Sequence, residues 1–401
     1  MGAVRRYSKL DDDPIAAGRE LGVDAVVDGS IQRRGPRMRV TVRLLRTSDG
    51  KPVWASQFDD QTHDLFAVQD VVAEQVARAI VPKAQPAYRL TSDLQAYELY
   101  VKGRFIAQTE PAQAEELYRQ AIARDPQFAA AWAATADSWL FRGRFGNTSG
   151  REKFDKAREA AMKAMALDPE NAEAHAALAQ VYADHDWDWK RAESEFRRAL
   201  ELNPNSDVAH SHYATLLLLL GDGDGALEHS RRAVQIDPFS PNWAVGRGQI
   251  LNCTGRHEQA IAHLEQTIRA FPRLTPAYLH LSLSYTDAGK PELGIERMHE
   301  ALTIHPNSSQ LLSIEAYAHA KAGHREHALA MVRELEKREQ PPSHNLALAW
   351  TALGDHDRAF HWLERAYRDR LYLLRAAFIL PGFAPLRNDP RYADLKRRMG
   401  L

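Results

Sequence analysis

A single cysteine, Cys253, stands in a chain of 401 residues. No internal disulfide can brace this fold, so buried apolar surface must hold it together. Charge of one sign is missing as well: 52 Lys and Arg face 53 Asp and Glu. Such a chain has no overall field to draw it to nucleic acid or to an anionic membrane. Long apolar runs are absent. The leucine run at residues 216–220 is far short of the ~20 residues that a membrane-crossing helix needs. The start, residues 1–10, is polar and basic and lacks the apolar centre of a secretory signal. The expected compartment is cytoplasmic, or periplasmic if a native upstream segment carries an anchor.

Catalytic groupings are missing too. No Ser-His-Asp set, paired carboxylates or glycine-rich catalytic loop stands out. The glycine-bearing loop 143–150 lacks the Gly-Lys-Ser/Thr ending of a phosphate cradle. Seventeen histidines raise the question of metal. The closest pairs are His324 with His327, and His210 with His212. The first has helical-face spacing but falls at a turn, and the second points to two faces. Neither approaches zinc-ligand spacing, so no metal and no cofactor is expected. Cys253 has only Arg256 as a basic neighbour and reads as a quiet, half-buried thiol.

What the chain does have is a repeat, and prolines mark it. Pro169, Pro204, Pro238, Pro272 and Pro306 are spaced by 35, 34, 34 and 34 residues, and Pro126 precedes them. A proline disfavours helical geometry in the residue before it, so each one closes a helix. Twelve residues before each stands Ala114, Ala157, Ala192, Ala226, Ala260 or Gly294. Five residues before stands Ala121, Ala164, Ala199, Ala233, Thr267 or Ala301. Together with the position eight residues before, these share one helix face, and their small side chains allow a second helix to come close. That second helix lies in front, with sets such as His175, Leu178, Ala179, Tyr182 and Tyr278, Leu281, Ser282, Tyr285. The spacing predicts helix pairs beginning near Gln95, Ala129, Ala172, Asp207, Pro241, Thr275, Ser309 and Ser343. One such pair cannot bury its own apolar face, so stability comes from stacking on neighbours. Ser92 with Gln95 reads as a capping box that starts the array.

The front of the chain has a different rhythm. Residues 14–21 suggest a short helix, and residues 25–34, 37–46 and 52–58 suggest strands. Val40, Val42 and Leu44 alternate with Arg39, Thr41 and Arg43, the period of a half-buried strand. Gly35-Pro36 and Ser48-Asp49-Gly50 supply turns. Residues 65–81 return to helical periodicity, and Pro82 and Pro86 mark a linker. The hairpin carries Arg33, Arg34, Arg37, Arg39, Arg43, Arg46 and Lys51 against Asp49 alone. It has no interleaved aromatic residue for base stacking, so a solvated or domain-contact face is expected rather than a nucleic-acid site.

The repeat resembles the tetratricopeptide repeat: tryptophan-like, leucine, small and tyrosine-like positions, then alanine, aromatic, alanine and proline. Trp132, Ala136 and Trp139 fit it, with Thr135 in place of the leucine. The front segment resembles the TolB amino-terminal-like domain in Gly18-Arg19-Glu20-Leu21-Gly22-Val23-Asp24, Asp28-Gly29-Ser30, Trp54 and Asp64-Leu65-Phe66-Ala67-Val68-Gln69-Asp70. That domain precedes tetratricopeptide repeats in bacterial signalling proteins, behind a winged-helix DNA-binding domain, a class III nucleotide cyclase or a protein kinase. The strand-and-helix portion that usually stands before the segment matching residues 4–7 is lacking here.

The resemblance implies a mainly α fold, a right-handed α-solenoid preceded by a small α/β domain. Its parts are residues 1–86, a linker at 87–94, repeats over 95–368 and a capping segment at 369–401. It also implies a concave groove lined by the first helix of each pair. By repeat phase the groove takes Asp137, Ala176, Gln180, Ser211, Thr215, Asn242, Val245, Gln249, Asn252, Leu279, Leu283, Ser313 and Tyr317. The lysine positions of a carboxylate clamp read Ala176, Ser211, Val245 and Leu279, so the groove suits amide hydrogen bonds and apolar pockets. The expected function is a non-enzymatic scaffold or sensory module that binds a protein or peptide partner, or a second copy of itself. The alternative is the C-terminal regulatory portion of a transcriptional regulator or nucleotide cyclase whose output domain lies upstream.

Overall fold

The computed structural model describes residues 13–20, 22–34, 37–60, 90–107, 110–145 and 150–401. The expected helix over 65–81, the Gly35-Pro36 turn, the linker prolines, the segment 4–7 and most of the loop 143–150 lie outside the described residues. The chain divides into two compact units, Met1–Trp132 and Ala133–Leu401.

The first unit opens with α1 (Pro14–Glu20) and an antiparallel meander of β1 (Ala25–Arg34), β2 (Arg37–Arg46) and β3 (Pro52–Asp60), in that spatial order. Val42 and Leu44 are buried while Arg43 is exposed, as the alternation of β2 requires. The register shifts between Leu44 and Leu45, and this bulge turns Leu45 inward too. Opposite the Gly29–Val42 pair there is no room for a side chain, because a Cβ on Gly29 would lie 2.7 Å from the Thr41 carbonyl oxygen. The basic hairpin is partly neutralised: Arg43 pairs with Asp28, and Arg46 Nη1 lies 3.0 Å from Asp49 Oδ2.

Then comes the first helix pair, α2 (Leu94–Ile106) and α3 (Pro111–Arg124). Its cap differs from the expected capping box. Asp93 holds the N-cap position and accepts from the Ala96 amide at 2.8 Å, while Arg124 donates to the Asp93 carboxylate at 3.0 Å. The carboxylate satisfies an orphan amide and also ties the two helices together. Tyr100 lies between Tyr118 and Phe128, with ring centroids at 6.0 and 5.0 Å.

The pairs continue with α4 (Ala129–Phe145) and α5 (Gly150–Leu167), then α6 (Ala172–Val181) and α7 (Trp189–Leu202). Next come α8 (Asp207–Leu220) with α9 (Gly223–Ile236), α10 (Pro241–Cys253) with α11 (His257–Ala270), and α12 (Thr275–Asp287) with α13 (Pro291–Ile304). The last pairs are α14 (Ser309–Lys321) with α15 (Arg325–Glu336), and α16 (Ser343–Ala352) with α17 (His356–Arg368). Seven of the eight expected first-helix starts coincide with these bounds, and α2 begins one residue early. The small positions do what the spacing requires. Ala114, Ala157, Ala192, Ala226 and Ala260 are all fully buried, and a Cβ on Gly294 would sit 3.0 Å from the Ser282 carbonyl oxygen. Asn171, Ser206, Ser240 and Ser308 cap the first helices α6, α8, α10 and α14, each side chain accepting from an amide three residues on.

Between the two helices of each later pair a glycine turns with positive φ, as at Gly221 (91°) and Gly255 (77°). The α6–α7 turn departs from this scheme. Its extra residue is taken up by a π-helical turn, Tyr182–Asp186, and Trp187 carries the left-handed conformation at φ 57°. A tryptophan in that region is strained and has to be held by its surroundings.

Burial also sets a pH response. His344 on α16 is 9% exposed, and burial pulls its pKa down to about 4. In the unfolded chain the group titrates near ~6.5. The folded state therefore favours the neutral ring. Its stability is fully present above about pH 6.5 and is lost as pH falls towards about 4. The thermal midpoint should drop across that window, and His344→Gln should flatten the drop. An equal drop in both proteins would assign the effect to other histidines.

Candidate functional site on the inner face of the repeat array

In the second unit, each first helix packs on the first helix of the next pair: α6 on α8, α8 on α10, α10 on α12, α12 on α14 and α14 on α16. Successive second helices barely touch. Elements that approach more closely on one side curve the stack towards that side, so the first helices line its inner face.

This face is covered by the chain's own C-terminal segment. After α17 the chain runs through a 3₁₀ turn (Tyr372–Arg375), α18 (Ala376–Ile379), a second 3₁₀ stretch (Pro381–Leu386) and α19 (Pro390–Arg398). The segment expected to cap the last pair therefore also reaches back along the array. α18 contacts α8 and α16, and the second 3₁₀ stretch packs on α16. Arg375 pairs with the buried Asp184 carboxylate, Arg370 Nη1 donates to the His185 carbonyl at 3.0 Å, and Trp189 Nε1 donates to the Met399 carbonyl at 2.7 Å. Trp187 packs on Tyr367 with ring centroids 5.3 Å apart and lies under the Arg370 guanidinium at 4.8 Å. The strained tryptophan is thus held by the segment. Leu374, Phe383, Leu386 and Leu395 are fully buried within one apolar cluster that runs from Ala176 to Met399.

The groove residues read from repeat phase fall into four groups. Gln180 and Thr215 line a narrow cavity with Asp184 and Arg375, so they face the C-terminal segment. Gln180 Nε2 donates to Asp184 at 3.3 Å. Asn252 and Tyr317 are buried and meet through Asp287. Asn252 Nδ2 donates to Asp287 Oδ2 at 2.7 Å, and the Tyr317 hydroxyl donates to Oδ1 at 2.9 Å. His257 Nδ1 lies 2.8 Å from Asn252 Oδ1. This chain of hydrogen bonds links α10, α12 and α14. Burial raises the Asp287 carboxyl above its usual range, and it raises the Tyr317 hydroxyl as well. Val245, Leu283, Ala176 and Ser313 are also buried, and the remainder, Asp137, Ser211, Asn242, Gln249 and Leu279, are half-buried. At the clamp-lysine positions the face is neutral.

Several residues of this arrangement escape repeat phase. Asp184, Trp189, Asp287 and Arg375 are essential parts of it. The Asp186-Trp187-Asp188-Trp189 run is a signal in the sequence, since two indoles two residues apart in a polar turn need cover. Nothing local marks Arg375 as their partner. The histidine pairs also differ from those the sequence suggests: His210 meets His229, with Nδ1 atoms 2.8 Å apart, while His212 lies edge-on to Trp243. Burial pushes the Cys253 thiol well above its ordinary value, so it is poorly reactive. Among the described residues no helix is long and apolar enough to cross a membrane.

Helix pairs in phase, stacked through small residues, with an inner face that holds polypeptide, define an α-solenoid of the protein-interaction class. Two family models described as tetratricopeptide repeat match residues 272–378, and 104–147 with 188–241, together about half of the chain. The chain belongs to the tetratricopeptide-repeat proteins. It is 32% identical over 139 residues to "Putative adenylate cyclase 3" of Rhizobium meliloti (strain 1021), covering 32% of this chain and 24% of that protein. To the human protein O-mannosyl-transferase TMTC3 it is 26% identical over 198 residues, 49% of this chain and 21% of that one. The chain thus spans a quarter or less of the length of these two relatives. Among solved structures, a tetratricopeptide repeat protein from Parabacteroides merdae ATCC 43184 matches with a TM-score of 0.44 at 15% identity, over 67% of this chain and all of that one.

Proposed function

We propose that this chain is a non-enzymatic scaffold of a bacterial signalling system, and that it binds a partner polypeptide on the inner face of its repeats. One observation carries the reading: that face already accommodates non-repeat polypeptide, in the form of residues 369–401. The buried side chains of Leu374 and Phe383 mark apolar pockets, and Asp184 supplies a charged anchor. A partner segment offering an apolar residue and a cation at matching places would compete with the resident segment. The half-buried groove residues Ser211, Thr215, Asn242 and Gln249 would then read its backbone by hydrogen bonding.

The test uses a labelled peptide of residues 369–389 and the full-length chain. Wild type should take up little of it, because the resident segment has the advantage of being tethered. A Phe383→Ala chain, under conditions where circular dichroism shows intact helices, should take it up saturably. Adding Thr215→Lys and Gln249→Lys should abolish that uptake. Uptake that ignores the groove charges would move the binding surface elsewhere.

A second reading is favoured by the match to the Rhizobium meliloti relative. These residues would then be the C-terminal regulatory portion of a nucleotide cyclase or transcriptional regulator, with the TolB-like segment as the link to the output domain. Peptides from upstream of Met1 in the protein purified from its native cells would support this reading, and a species that starts at residue 1 or 2 would reject it.

A further inference from the structure

Four histidines and a glutamate, drawn from α13, α14 and α15, converge at the junction of two repeats. Glu315 and His319 are four residues apart on α14, so they share one helix face. His299 projects from α13, the second helix of the preceding pair, and its Nε2 lies 2.8 Å from Glu315 Oε1. One ligand atom from each of His299, Glu315 and His319 falls within 4.8 Å of the other two. His324, at the N-terminus of α15, brings its Nδ1 to 3.1 Å from His319 Nδ1, and the His327 ring centroid is 4.4 Å from that of His319.

We propose that His299, Glu315 and His319 form a binding site for a divalent transition-metal ion of the zinc type. Two imidazoles and a carboxylate are a ligand set that zinc accepts, with a fourth position left for water or a fourth side chain. Metal–ligand bonds of about 2.0–2.2 Å in a tetrahedral site place ligand atoms roughly 3.5 Å apart. His319 therefore needs only to close by about an ångström, which a side-chain rotation supplies. His299 is exposed, which gives an ion its way in, while Glu315 is only 6% exposed. A buried carboxylate whose visible partner is a single imidazole is costly, and a cation there offsets that cost.

His324 is placed to orient the His319 ring, the role that outer hydrogen-bonding partners play around metal-bound imidazoles. Hard cations such as magnesium and calcium prefer all-oxygen sites and are not suited to this one. A bound ion would join α13 of one repeat to α14 of the next and so staple neighbouring pairs.

Untagged, metal-free, full-length protein should bind one zinc ion in isothermal titration calorimetry and be stabilised by it against heat. Cobalt should give the visible absorption of a tetrahedral site. His299→Ala removes an exposed ligand without disturbing the core, and Glu315→Gln keeps the shape of a buried one. Each should weaken zinc at least about tenfold, whereas His361→Ala, on α17, should change nothing. Magnesium should not compete. Absence of saturable zinc binding, or binding equal in wild type and His299→Ala, would overturn the proposal.

Discussion

Phe383→Ala should lower the unfolding free energy of the second unit by about 3–5 kcal/mol, the usual result of emptying a fully buried aromatic site. Phe383 lies in the second 3₁₀ stretch, with no exposed surface, inside the apolar cluster shared by α8, α14, α16 and the C-terminal segment. That location decides the size of the effect. A segment merely resting on the repeats could fray locally with little loss of global stability. A segment inside the common core cannot, because its removal uncovers Leu348 and Tyr317 at once. Chemical denaturation, followed by circular dichroism, reads the loss, and Met162→Ala, at a residue 58% exposed, serves as the control. Gly382→Ala probes the same contact by overpacking. Its new methyl group would meet Leu348 Cδ1 at 2.6 Å and the Tyr317 hydroxyl at 2.7 Å, for a cost of about 1–3 kcal/mol. Near-wild-type midpoints for both variants would mean that the segment is dispensable for the core.

Arg375→Ala should cost a similar amount, about 3–5 kcal/mol, through a different mechanism. Asp184 sits in the π-helical turn at 4% exposure, and Arg375 reaches it from the C-terminal segment. Without the guanidinium the carboxylate keeps the Gln180 amide at 3.3 Å as a neutral partner, too little to balance a buried charge. Asp184→Ala alone should also destabilise. The double variant should lose clearly less than the sum of the two, because neither charge is then left without its counterpart. Strict additivity would show that the two groups do not interact in solution. Hydrogen exchange should report loosening of residues 182–189 in Arg375→Ala, since Trp187 would lose part of the cover that holds its left-handed backbone.

The array itself was legible in the sequence to an unusual degree. Five prolines at intervals of 34 or 35 residues, each preceded by small residues on one helix face, define where one pair ends and how closely its helices approach. The start of α2 was misplaced by one residue because Ser92 and Asp93 both fit an N-cap, and the contact of Arg124 with Asp93, thirty-one residues away, favours the latter. The inner face was harder to read. Repeat phase assigns Asn252 and Tyr317 to it, but their side chains turn to Asp287 and serve the joins between repeats. The metal-ligand spacing was invisible because His299 and Glu315 belong to different repeats. Only the packing of α13 on α14 makes them neighbours.

By itself, then, the sequence determined the helix pairs, their order and their stacking, because all three follow from contacts within or between adjacent repeats. Tertiary structure alone decided what lies on the inner face. Whether residues 369–401 reach Asp184 and Trp189 depends on the small rotation from each pair to the next, summed over the pairs between α6 and α17. No local pattern of side chains encodes that sum. The shared apolar core selects the closed arrangement, in which the segment's buried residues and the array's inner face remove one another from water.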